Sequence, residues 1–347
     1  MNGLRTVGLF VTVLSLGLAG CPKADIPVET PVEGPELRWP PEPQDPIVEY
    51  VDTIQTSLWA QPRTTGQRVV DAVFAREHKG VMLERPFRVT TDPRGRIFVT
   101  DLNRQQLLAF DKEGGDFRIV GERGKGQLVF PMAVATDARG HVFVADSAQG
   151  RVLEYDAELA FVRSYGSSDL LVSPVALAIH EERGELWVAD SKGHDLDVFA
   201  IGGDHLRSHG AKGSEDGQFL FPLALTIVDD EVFVVDSMNF RVQVFDVEGD
   251  YERQWGENCI LPGCFSRPKG IAHDSMGNLY VTDAAFDNVQ IFDRKGQLLL
   301  VFGASGNLPG TLSMPVGIHI DSDDVIYVAS QFGGMVNLYR FLGPPEE

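Results

Sequence analysis

Residues 268–293 read PKGIAHDSMGNLYVTDAAFDNVQIFD, and the pattern of this stretch recurs along the chain. A proline opens an apolar run, a Gly-Asn turn follows, the strand-like LYVTD (279–283) ends on aspartate, and NVQIFD (288–293) closes the unit. Period-two alternation of apolar and β-branched residues marks half-buried strands. Equivalent prolines stand at Pro86, Pro131, Pro174, Pro222, Pro268 and Pro315, spaced by 45, 43, 48, 46 and 47 residues. The other second strands read IFVTD (97–101), VFVAD (142–146), LWVAD (186–190), VFVVD (232–236) and IYVAS (326–330). The third strands read QLLAFD (106–111), RVLEYD (151–156), DLDVFA (195–200), RVQVFD (241–246) and VNLYRF (336–341). A loop opened by glycine precedes most of the prolines, as in GERGKGQLVFP (121–131) and GAKGSEDGQFLFP (210–222). The first of these resembles a phosphate loop only superficially, because no helix follows it. A period of this length built from short strands marks a repeat architecture.

These residues resemble the NHL repeat, roughly Pro-x-Gly-Ile-Ala-x-Asp, then Gly-Asn-Ile-Tyr-Val-x-Asp, then Asn-x-Arg-Val-x-x-Phe. The resemblance covers about residues 86–341 in six copies. It implies an all-β, six-bladed β-propeller with four strands per blade. Two departures stand out: Ser330 replaces the sixth strand-end Asp, and His180 stands where the third repeat should carry Asp after its first strand. The sixth repeat also ends after its third strand. The strand-like run IVEYVDTIQT (47–56) is therefore expected to supply the missing outer strand and close the ring, removing an open edge. Helical spacing of Val69, Val70, Val73 and Phe74 predicts a short helix over 65–76, with Thr65 as its N-cap.

Upstream, Arg5 and the apolar run from Val7 to Leu18 read as a cleaved export signal, residues 1–20. The run is too short to span a bilayer comfortably. Leu18-Ala19-Gly20-Cys21 resembles the lipobox of bacterial lipoproteins, which implies acylation of Cys21 and attachment to the lipid bilayer. An ordinary signal with a nearby cysteine is the alternative. Pro22, rather than Asp, follows the cysteine, so the resemblance favours the outer membrane of a bacterial cell envelope. Residues 21–46 hold Pro22, Pro27, Pro31, Pro35, Pro40, Pro41, Pro43 and Pro46, the composition of an extended tether. Residues 47–347 are then the propeller domain.

The net charge is −20, and losing Arg5 with the signal makes it −21. Such a surface repels phosphate backbones, so nucleic acid is not an expected partner. Cys259 and Cys264 share one loop, and in an oxidising compartment they are expected to pair; a two-thiolate metal site is the alternative.

No hydrolase elbow, zinc-protease or haem-attachment motif occurs. The strand-end carboxylates Asp101, Asp146, Asp190, Asp236 and Asp283 recur in five of six units. That recurrence favours capping of backbone N–H groups over a ring of cation ligands. In the amidating lyases among NHL-type propellers, histidines directly after the anchoring prolines hold a metal. Here those positions are Phe87, Met132, Val175, Leu223, Lys269 and Val316, so that metal site is absent. His273 and His319 lie on adjacent first strands but one residue out of register, so they should not face the same way. No catalytic residue, metal ligand or cofactor is assigned, a channel calcium ion being the remote alternative.

The expected function is a membrane-anchored binding or scaffold propeller for an unidentified envelope protein or small ligand. A lactonase-like hydrolase or lyase using a channel cation, and an accessory subunit of an envelope complex, are the alternatives. The residues after the prolines are expected to ring one channel mouth. Phe87, Met132, Val175, Leu223 and Val316 would form an apolar rim, with Arg88 and Lys269 as cations that suit an anionic apolar ligand or an acidic peptide loop. Pairing of those two cations with strand-end carboxylates is the competing arrangement.

Overall fold

A computed structural model describes residues 37–41, 44–60 and 80–343. The export signal, Cys21, residues 22–36 of the tether and the helix expected at 65–76 lie outside the described residues. Within them, six antiparallel sheets stand in a ring around an axis, and first strands of successive blades touch all the way round.

Blade 1 runs through Pro86–Thr91, Ile97–Asp101, Gln106–Asp111 and Asp116–Val120, from the axis outward. Blades 2 to 5 repeat this order from Pro131, Pro174, Pro222 and Pro268. Blade 6 supplies Pro315–Ile320, Val325–Ser330 and Met335–Phe341, and its fourth strand is Val48–Ile54. That strand pairs antiparallel with Met335–Phe341, Val48 opposite Phe341 and Ile54 opposite Val336. Val48 and Ile54 are fully buried, and Thr53 Oγ1 donates to Asn337 Oδ1 at 2.6 Å.

The tether is shorter than the prolines suggest. Arg38–Trp39 pairs with Val48 and Glu49 as a fifth strand on blade 6. The physical reason is Trp39, whose ring lies 5.8 Å from Phe302 and 5.7 Å from Tyr339, centroid to centroid. Burying an indole there outweighs the extended preference of the flanking prolines.

The core consists of six apolar clusters, each wedged between neighbouring blades. Between blades 3 and 4, for example, Trp187, Val198, Phe219 and Phe245 interlock. Turn chemistry holds each blade's hairpins. Asp92, Asp137, Asp274 and Asp321 end first strands, and each accepts the N–H groups two and four residues on. Asp156, Asp246 and Asp293 do the same in outer hairpins. Seven of the 50 acidic residues of the chain are thus built into turns. In the third blade His180 takes the aspartate's place, its Nδ1 accepting from Arg183 N at 3.4 Å.

The connecting loops need glycine at their start. Gly256 has φ of 101°, and a Cβ there would meet the Phe265 ring at 2.5 Å. Cys259 and Cys264 form a disulfide across the loop that Gly256 opens, their Cα atoms 5.3 Å apart.

Candidate functional site

The first strands enclose an axial channel of about 250 Å³. Its wall is largely Ala, Val, Ile and Thr, with Arg88, His273 and His319 as the basic side chains. One end of the ring carries the prolines and connecting loops; the other carries the hairpins after the first strands.

The apolar rim expected at the proline end is mostly core instead. Pairing skips one residue after every anchoring proline, as between Pro86 and Arg88 or Pro268 and Gly270. Such a bulge re-aims the extra side chain. Phe87 and Val316 are buried in the cluster between blades 6 and 1, and Met132 packs against that cluster. Val175 is buried as well, and Leu223 is half-buried. Of the seven residues expected at the mouth, Arg88 alone lines the channel.

Arg88 reaches across the bore. Its Nη2 donates to the carbonyl of Leu223 in blade 4 at 2.5 Å and to that of Lys269 in blade 5 at 3.1 Å. Its guanidinium carbon sits 4.5 Å from the centre of the Phe87 ring. No carboxylate among the described residues pairs with it, and burial pushes its pKa down to about 10. Lys269 is likewise without an ion pair among the described residues. Burial lowers its pKa, and Arg88 and Arg267 add to the shift against the opposing field of Asp283. Carbonyl dipoles offset a buried cation only in part, so this mouth keeps a positive charge that an anion would complete.

The strand-end carboxylates are occupied elsewhere. Asp101 accepts from the N–H groups of Glu84, Arg85, Asn103 and Arg104. Asp146 accepts from those of Val129, Phe130, Ala148 and Gln149. Asp190 takes Val172, Ser173, Lys192 and Gly193, and Asp283 takes Ser266, Arg267 and Ala285. Asp236 differs: it takes Leu220 N, and otherwise Asn239, Arg241 and Gln243 side chains. The N–H of Phe221, which precedes Pro222, turns to His194 Nδ1 at 3.2 Å. Where Ser330 replaces the sixth aspartate, Asp287 of the fifth blade accepts from Met314 N at 2.8 Å.

His273 and His319 both line the channel but turn into different blade junctions. His273 Nδ1 is 2.9 Å from Thr226 Oγ1 of blade 4, and His319 Nε2 is 2.8 Å from Thr91 Oγ1 of blade 1. Burial lowers the pKa of both, and with His273 nearby that of His319 falls to about 4. Both imidazoles are neutral at pH 7. Sequence reasoning missed Thr91 and Thr226, although a threonine near the end of a propeller's first strand is a polar group placed at the axis. Among the described residues, no group of three metal-ligating side chains faces the channel; the two such groups lie at Cys259–Cys264 and in blade 3.

No family model and no curated protein matches this sequence. Solved structures do share its fold. A streptogramin B lyase aligns with a TM-score of 0.56 at 11% identity, covering 74% of this chain and 93% of the lyase. Virginiamycin B lyase from Staphylococcus aureus gives 0.55 at 13%, covering 75% and 96%. A Bacteroides thetaiotaomicron protein of unknown function gives 0.61 at 14%, covering 83% and 75%. Identities this low establish the six-bladed propeller and nothing finer.

Proposed function

We propose that this chain is a lipid-anchored binding propeller of the bacterial envelope, with NHL-type blades, that takes an anionic ligand at the proline end of its channel. The observation that carries the reading is the unpaired charge of Arg88 and Lys269 on a protein of net charge −20. Fixed cations beside apolar walls suit a carboxylate on an apolar body, or an acidic peptide loop. The test is a titration with a medium-chain fatty carboxylate, an alcohol of equal length and an acidic peptide. Lys269→Glu, at a half-buried position, should weaken carboxylate or peptide binding by about tenfold or more, since charge-assisted hydrogen bonds contribute roughly 1.5–3 kcal/mol. Equal binding of the alcohol, or binding indifferent to Lys269→Glu, sinks the proposal.

The envelope location rests on the Leu18-Ala19-Gly20-Cys21 stretch. Cys21→Ser should abolish acyl labelling and move the chain from the membrane to the soluble fraction. Labelling that persists in this variant rejects the lipid anchor.

A lyase or hydrolase is the second reading, favoured by the neutral imidazoles of His273 and His319 on the channel wall. Each could accept a proton from a molecule in the bore. The fold is shared with enzymes whose names include streptogramin B and virginiamycin B lyase, which adds only weak support.

A further inference from the structure

We propose that Asp190, Asp195 and Asp197 of blade 3 form a site for a divalent cation of the oxygen-seeking class, calcium in the first instance. Each offers a carboxylate oxygen, and these oxygens lie within 4.8 Å of one another; Asp190 would share its own with the backbone N–H groups it already accepts from, its Oδ2 holding one and its Oδ1 three. Asp197 is buried, only 1% exposed. Its Oδ1 accepts from His205 Nε2 at 3.0 Å and Ser208 Oγ at 2.6 Å, but its Oδ2 is buried with no hydrogen-bond partner. Asp195 Oδ1 is also buried without a partner, as are the matching oxygens of Gln106 in blade 1 and Asn288 in blade 5, so the bare oxygen peculiar to blade 3 is Asp197 Oδ2. Buried carboxylate oxygens left bare are rare, and each asks for a ligand. Gly193 makes room for the cluster, since a Cβ there would stand 2.5 Å from Asp195 Oδ1 and 2.9 Å from Asp190 Cγ.

The sibling blades supply the control. In blade 4 the residues matching Asp195 and Asp197 are Arg241 and Gln243, and both donate to Asp236. The strand-end carboxylate there has a cation from the chain itself. Gln243, Gln290 and Asn337, which match Asp197, also grip the connecting loops at 210–221, 256–267 and 303–314 by accepting from one backbone N–H and donating to a nearby carbonyl. The loop before blade 3, 166–173, is four residues shorter than these. No comparable bond runs from Asp197 to it. Against blade 4, blade 3 has thus exchanged a positive charge and a loop grip for two further carboxylates. Burial and the neighbouring Asp197 and Asp190 push the pKa of Asp195 up to about 7. Hard oxygen ligands without nitrogen or sulfur select calcium or magnesium, and waters would complete the shell.

The test is calcium and magnesium binding to the full chain by equilibrium dialysis, with melting followed in parallel. At about 1 mM free calcium, the range of extracellular modules, up to one ion per chain should bind and the melting temperature should rise by roughly 1–2 °C. An Asp195→Asn, Asp197→Asn double variant should lose both responses. It should still fold, because blades 5 and 6 carry Asn288 and Asn337 at the matching positions. Asp195→Arg, copying blade 4, should melt above the calcium-free parent and ignore the metal. Absence of bound ion in the parent would overturn the proposal. So would calcium binding that survives in the double variant. Neither outcome touches the channel mouth, which lies on other residues.

Discussion

Removing residues 47–56 is expected to lower the melting temperature by at least about 8 °C. Val48 and Ile54 are fully buried in the clusters flanking blade 6, and each contributes roughly 1.5–3 kcal/mol by burial alone. The deletion also strips the Met335–Phe341 strand of its outer partner and leaves Asn337 without Thr53. A loss of about 5 kcal/mol or more, at roughly 1.6 °C per kcal/mol for a domain of about 300 residues, gives the stated shift. Removal of residues 22–34 is the control. Read as a tether, they contribute no buried surface, and melting should not change. Equal effects of the two deletions would show that ring closure does not hold the fold together.

The second large effect is expected at Asp146. Its carboxylate is fully buried and accepts four backbone N–H groups from two separate segments, the loop before Pro131 and the turn after the second strand. Asp146→Ala leaves those donors without an acceptor. At 1–3 kcal/mol for a stranded donor, with some regaining water, the cost should be about 4 kcal/mol by urea unfolding. Asp146→Asn should cost about half as much, because its single amide oxygen still accepts. Ser330 is the comparison built into the molecule. It occupies the same place in blade 6, and its Oγ is buried without a partner. Ser330→Ala should therefore be close to neutral. If Asp146→Ala proves equally mild, these carboxylates do not hold the blade junctions.

The ring was legible because every signal of it came six times: proline, alternating strand, aspartate, alternating strand. The closing strand was legible by counting, since a blade one strand short needs its edge covered. Features that occur once escaped. Arg38–Trp39 sits among prolines, and nothing local separates a docked tryptophan from an exposed one. The bulge after each proline was hidden because a one-residue slip turns a rim side chain into a core one without altering the pattern. Phe87 and Val316 were misread for that reason. The substitution of Asp287 for Ser330 crosses blades and so leaves no mark at the repeat period. The blade 3 cluster did carry a signal. Laid against Arg241 and Gln243, Asp195 and Asp197 break the charge pattern of the repeat, and only comparison of the copies with one another exposes them.

The closing strand also sets an order of events for a chain made from its N-terminus onward. Thr53 and Asn337, which bond across the seam, are 284 residues apart. The segment that seals the ring is made before all six repeats, yet its partner belongs to the sixth. Until then five blades can assemble in turn from local hairpins, while Val48–Ile54 waits with its apolar side chains unpaired. Contacts so distant in sequence form slowly, and the waiting edge is open to pairing with another copy. A chain cut short within the sixth repeat would therefore hold five assembled blades beside an unsealed edge, and it should aggregate more readily than the closed ring.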